Sequence, residues 1–222
     1  MIFRNRTDAG RQLAARLKRY ADRADVLVLA LPRGGVPVAY EVAKELKAPL
    51  DVFLVRKLGV PGHEELAMGA IASGGVRVLN EDIVDYLRIP DEVIDAVAAI
   101  EQRELERRQH VYRDARPPPD VKDRVVILID DGLATGSTMR AAAASLRLLE
   151  PRRIVVAVPV SSPETCDEFR TEVDEIICAV TPQNFQGVGL WYEDFSQTSD
   201  QEVGELLKRA TQQRHHVASS AS

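Results

Sequence analysis

Only two cysteines occur in 222 residues, Cys166 and Cys178, and neither belongs to a CxxC pair. This spacing excludes a thiolate zinc cluster, and no disulfide framework is expected. Cys178 lies in the apolar run Ile176–Val180 and reads as a small buried hydrophobe. There is no surplus of basic charge: 29 Lys and Arg face 34 Asp and Glu, for a net charge of -5. Nucleic-acid binding through a basic face is therefore not expected. No apolar run approaches the ~18 residues of a membrane span, and Met1–Arg6 contains no apolar signal region. A cytoplasmic protein is expected. No internal repeat is present.

What is there is a chain with 45% hydrophobic residues, enough for a sizeable core in one large or two small domains. Short apolar runs at Asp25–Leu31, Leu50–Val55, Val125–Ile129, Ile154–Val160 and Glu175–Val180 read as buried strands. Helical patterns fall between them at Val36–Leu46, Ser137–Leu149 and Pro163–Arg170. Another helix, capped by Thr7 or Asp8, runs to about Tyr20. The alternation predicts an α/β fold, doubly wound, with a mainly parallel sheet and helices on both faces. Residues 56–79 are glycine-bearing and read as a loop with a hairpin near Ser73-Gly74-Gly75. Residues 90–114 read as one long helix, charged over Glu101–Arg108, and Pro117-Pro118-Pro119 as a stiff connector. The core spans 1–180, an irregular aromatic segment and a C-terminal helix fill 181–213, and 214–222 is expected to be a disordered tail.

The chemistry lies in Val125–Thr138, VVILIDDGLATGST. A buried strand delivers Asp130 and Asp131 at its C-terminal end, where open parallel sheets bind ligands. A short loop follows, then a helix start near Ser137, whose free N–H groups and positive dipole suit a phosphate. Gly136 permits close backbone approach, and Thr135, Ser137 and Thr138 add hydroxyls. Two carboxylates beside an anion would repel it, so they face another group. A ribose cis-diol offers two O–H donors to them. The motif therefore describes a ribose 5-phosphate site. An NTPase loop needs GxxxxGK[ST], and here Ser137 stands where the lysine belongs; a dinucleotide fingerprint needs GxGxxG without an acid pair.

Ile127–Thr138 resembles the phosphoribosyl pyrophosphate signature of type I phosphoribosyltransferases. The resemblance implies that Asp130 and Asp131 hold the ribose diol, and that Ala134, Thr135, Gly136, Ser137 and Thr138 hold the 5-phosphate. Leu31-Pro32-Arg33-Gly34-Gly35 looks like the family's pyrophosphate loop, with Arg33, Gly34 and Gly35 as its working residues. Arg56-Lys57-Leu58-Gly59 resembles the start of the flexible lid, residues 56–79, in adenine-type members. Arg56 and Lys57 would then meet the diphosphate, and Glu65 is a candidate acid or base. The 181–213 segment would be the hood, with Phe185, Trp191 and Tyr192 as a base pocket.

The family reaction displaces pyrophosphate from C1 of 5-phosphoribosyl 1-pyrophosphate by a nucleobase-like acceptor. It uses magnesium (Mg), which Asp130 and Asp131 would meet mainly through the substrate. Hypoxanthine-guanine-type members carry a further acid four positions after the first of the pair. Ala134 occupies that position, which argues against that mechanism and looks more like adenine- or orotate-type members. A sensing protein that keeps the sugar-phosphate site without turnover is the alternative. A homodimer through the long helix and hood is a further expectation.

Overall fold

The structure is a computed structural model that describes the backbone of residues 2–113 and 117–220, with side chains through Gln213. In chain order the elements are α1 (Arg6–Arg16), β1 (Val26–Ala30), α2 (Gly35–Leu46), β2 (Leu50–Val52), β3 (Val55–Val60), β4 (His63–Ala72), β5 (Val76–Leu79), α3 (Glu81–Leu87) and α4 (Asp91–Arg113). They continue with β6 (Val125–Ile129), α5 (Ser137–Arg147), β7 (Arg153–Val160), α6 (Pro163–Glu168), β8 (Glu175–Val180) and α7 (Asp200–Ser220).

The continuous apolar runs become a five-stranded parallel sheet of order β2-β1-β6-β7-β8. Period-2 alternation divides each strand between two cores. Val26, Val28, Ile127 and Ile129 pack toward α1, α2 and α7. Leu27, Leu29, Val126 and Leu128 pack toward α5 and Phe169. Burial on both faces explains the lack of polar alternation in these runs. The doubly wound α/β architecture is as expected.

Several local expectations are corrected. The run Leu50–Val55 is not one strand: β2 ends at Val52 and β3 begins at Val55 in a separate antiparallel sheet, β3-β4-β5. Arg113, almost fully buried at the end of α4, donates to Asp51 Oδ1 at 2.8 Å and to the Val52 carbonyl, clamping the chain where it changes sheets. Residues 56–79 are thus an ordered sheet rather than a loop. Leu58, Val60 and Met68 of that sheet share a core with Ile94, Ala98 and Leu105 of α4. The hairpin at 73–75 is present, with Gly74 and Gly75 at positive φ. Helix α3, capped by Asn80, was not expected. The α1 cap is Asn5, whose side chain accepts from the Asp8 amide, in place of Thr7 or Asp8.

Cys166 and Cys178 form a disulfide, against expectation, with Cα atoms 6.7 Å apart. The crossover from β7 to β8 lays α6 against β8, so tertiary proximity rather than a CxxC spacing pairs them. Cys178 is half-buried. The backbone remains helical through Ser220 where a disordered tail was expected from 214, and residues 221–222 lie outside the described residues. Asp114, the expected end of the long helix, also lies outside them.

Candidate active site

The loop expected to hold the 5-phosphate begins where β6 ends. Gly136, at φ +72, caps α5, and a Cβ there would lie 2.5 Å from the Phe169 ring. The loop thus sits directly on an aromatic plate, and only glycine fits both the conformation and the space. Thr165 of α6 donates to the Ala134 carbonyl at 3.0 Å. Arg140 of α5 donates to the Thr135 carbonyl, stacks on Phe169 and pairs with Glu168 and Glu172. These contacts consume carbonyls from beneath. Thr135, Ser137 and Thr138 remain exposed at the start of α5, where a helix N-terminus suits an anion.

The acid pair is held more tightly than its sequence suggests. Asp130 Oδ1 accepts from the Asp131 amide at 2.8 Å. Burial, then the neighbouring Asp131 charge, pushes the Asp130 carboxyl well above its ordinary range. Burial also raises Asp131, against the opposing pull of Arg6. Arg6 Nε donates to Asp131 Oδ2 at 2.8 Å, its Nη1 to the Ser196 carbonyl at 2.7 Å, and its guanidinium lies 4.0 Å from the centre of the Phe195 ring. Arg6 was missed in the sequence. It belongs to an ordinary amphipathic helix, and nothing in its spacing signals contact with a motif 125 residues away.

The Leu31–Gly35 loop and the acid pair leave adjacent strands, since β1 pairs with β6 from Val26↔Val125 to Ala30↔Ile129. The Pro32–Arg33 peptide is cis. A Cβ on Gly35 would lie 2.7 Å from the Ile129 carbonyl oxygen and 2.9 Å from Asp130 Cα, so the two loops touch backbone to backbone. Gly34 meets the Asp131 carboxylate in the same way. Arg33 reaches Asp200 of α7 at 3.9 Å, and Arg56 pairs with Glu101 of α4 at 2.6 Å. Strand alternation sends Lys57 to the face opposite Arg56, where it is exposed. Glu65 is exposed beyond the bulge of β4, between the pairs Gly59↔Ala67 and Val60↔His63. Arg56 pairs with Ile71, so Glu65 lies roughly 10–13 Å farther toward the hairpin tip.

The segment expected to form a hood is joined by Phe3. Phe3 donates its amide to the Trp191 carbonyl and accepts from Glu193, both at 2.8 Å. Tyr192 is only 6% exposed, packs between Phe3 and Phe195, and donates its hydroxyl to the Asp131 carbonyl at 2.6 Å. It is a strut for the acid pair, which corrects its assignment as a stacking wall. Phe185 and Trp191 are half-buried against the same cluster.

The comparisons agree with this geometry. The phosphoribosyl transferase domain model matches residues 2–193. A Mycobacterium tuberculosis protein named "Putative phosphoribosyl transferase" is 47% identical over 209 residues, which are 94% of this chain and 47% of that protein. The chain therefore spans about half the length of that relative. A Clostridium acetobutylicum protein named "Bifunctional protein PyrR" is 31% identical over 134 residues, 58% of this chain and 68% of that one. The crystal structure of TT1426 from Thermus thermophilus superposes with a TM-score of 0.85 at 42% identity, covering 94% of this chain and 99% of that one. With the acid pair, the Ala134–Thr138 loop and the Leu31–Gly35 loop assembled at the carboxyl ends of the interior strands β1 and β6, the chain belongs to the phosphoribosyl transferase domain family.

Proposed function

We propose that this protein transfers the phosphoribosyl group of 5-phosphoribosyl 1-pyrophosphate to a nucleobase-like acceptor, with release of pyrophosphate. The observation that carries the reading is the meeting of two anion subsites across one acid pair. The α5 start and the Leu31–Gly35 loop flank Asp130 and Asp131 at the ends of neighbouring strands. A ribose bearing phosphate at one end and diphosphate at the other matches that layout. Its two hydroxyls would face the carboxylates.

Asp130 and Asp131 offer the hard oxygen donors that Mg²⁺ favours. No group of three or more His, Cys, Asp or Glu that could hold a metal exists among the described residues, which fits an ion carried mainly by substrate oxygens. Bound there, Mg²⁺ would neutralise charge on the diphosphate. The chain's own contribution is to orient the sugar through Asp130 and Asp131 and to anchor the 5-phosphate on Thr135–Thr138. Arg33 and Arg56 oppose the charge that develops on the leaving group.

The test is Mg²⁺-dependent pyrophosphate release from 5-phosphoribosyl 1-pyrophosphate against a panel of nucleobases and small amines. The Asp130→Asn/Asp131→Asn protein is the control. Release with one acceptor, lost in the control, supports the enzyme. Tight binding without release for any acceptor would shift the reading to a sensing protein.

A further inference from the structure

A small cavity lies between the pyrophosphate loop and the phosphate loop, and one of its walls comes from α4. Leu31, Pro32, Arg56, Leu105, Arg108 and Thr138 line it. Pro32 belongs to the pyrophosphate loop and Thr138 to the 5-phosphate cradle, so the cavity spans the two anion subsites. Two guanidinium-bearing side chains face it. Arg56 was expected from the sequence. Arg108 lies in the charged half of α4, Glu101–Arg108.

Helical spacing explains its position. Leu105 is buried against β3 and β4, and Arg108 follows three residues later on the same side of the helix. Tyr112, one turn further along, donates its hydroxyl to Asp200 at 2.6 Å. Asp200 in turn lies 3.9 Å from Arg33. The same face of α4 thus runs from Arg56, through Arg108, to the partner of Arg33. Each arginine also rests on a carboxylate: Arg33 on Asp200, Arg56 on Glu101, and Arg108 on Glu104, which it shares with Arg107. The pair Arg108–Glu104, at 2.7 Å, is partly exposed, so an incoming anion can exchange with the carboxylate.

We propose that Arg108 is a third diphosphate ligand beside Arg33 and Arg56, held in waiting by Glu104. The proposal rests on the sugar-diphosphate reading of the site and adds α4 to it. A guanidinium forks onto two phosphate oxygens, which an ammonium cannot do. Binding therefore exchanges the Arg108–Glu104 pair for an Arg108–phosphate pair. Removing the competitor should strengthen the ligand's hold, while a purely structural pair would predict the reverse.

The experiment is calorimetric titration of the full chain with two separate probes, inorganic pyrophosphate with Mg²⁺ and ribose 5-phosphate. The proteins are wild type, Arg108→Ala, Arg108→Lys and Glu104→Gln, each checked by thermal melting. Arg108→Ala should weaken pyrophosphate roughly 10- to 100-fold, the loss expected for a charge-assisted hydrogen bond, and leave ribose 5-phosphate unchanged. Arg108→Lys should fall between, and Glu104→Gln should bind pyrophosphate severalfold more tightly. Unchanged pyrophosphate affinity in Arg108→Ala overturns the assignment, as does loss of both probes together. Wild-type protein that binds ribose 5-phosphate but not pyrophosphate overturns it too and leaves the sugar-phosphate site standing. Binding of neither probe sinks the proposed function itself.

Discussion

Arg6 Nε donates to Asp131 Oδ2 at 2.8 Å, and this contact ties the first helix to the acid pair. Both side chains are mostly buried, at 12% and 15% exposure. Arg6→Ala would leave a buried carboxylate without its counter-charge. The expected loss of stability is about 3–5 kcal/mol, read by urea unfolding. Asp131, already raised by burial, would rise further without Arg6. Its ionised form would then be lost at a higher pH. The acid limb of the ribose 5-phosphate binding profile should move upward relative to wild type, with the ligand's own titration common to both. Overlaid profiles would remove Arg6 from any part in setting the acid's charge.

Asp130 makes a prediction of opposite sign for stability. Its folded pKa is raised well above the ordinary 3.8 by burial. Between those two values the folded state binds more protons than the unfolded state, so stability falls as pH rises through the window. Above it the penalty is fully present. Asp130→Asn should therefore raise the melting temperature at pH 7, with the gain shrinking as pH falls toward 4, while sugar-phosphate binding is lost. A lower melting temperature at pH 7 would contradict this account.

Two glycines provide a matched contrast. Gly35 has backbone at 2.7 and 2.9 Å from where a Cβ would stand, and Gly204 in α7 has open space. Gly35→Ala should cost about 1–3 kcal/mol through overpacking and weaken pyrophosphate binding as the two loops separate. Gly204→Ala should gain up to about 1 kcal/mol from helix propensity. Parallel denaturation curves check both, and equal effects would argue that the loops do not touch as described.

The disulfide closes a loop with a sequence separation of 12. Chain entropy sets its contribution at about 3 kcal/mol. Thiol counting under denaturation should find none free until reductant is added. Because Thr165, beside Cys166, supports the Ala134 carbonyl, reduction or Cys178→Ser should also weaken ribose 5-phosphate binding. Two free thiols in the untreated protein would remove the bridge.

The parallel sheet was legible because its strands are buried on both faces and carry no competing signal. The run Val125–Thr138 was legible for a different reason: strand, acids, glycine and hydroxyls succeed one another locally. Residues 50–79 were not legible. An apolar run reads the same whether it stays in one sheet or passes to a second, and the clamp that divides it, Arg113, lies 61 residues from Val52. Arg6, Asp200 and Arg108 were invisible for the same reason. Each is an ordinary helical charge in sequence and gains its role only where helices converge. The glycine-rich look of 56–79 suggested mobility, but the packing of Leu58 and Met68 against Ile94 and Leu105 turns it into a wall.

The pairing of Arg33, Arg56 and Arg108 with Asp200, Glu101 and Glu104 also bears on how fast an anion arrives. Opposite charges a few ångströms apart cancel at a distance, and the whole chain carries -5. Beyond a Debye length of about 10 Å, an approaching polyanion meets almost no attractive field. Its association should be slow and should gain rather than lose speed as salt is added, and selectivity would arise at contact, where partners change hands.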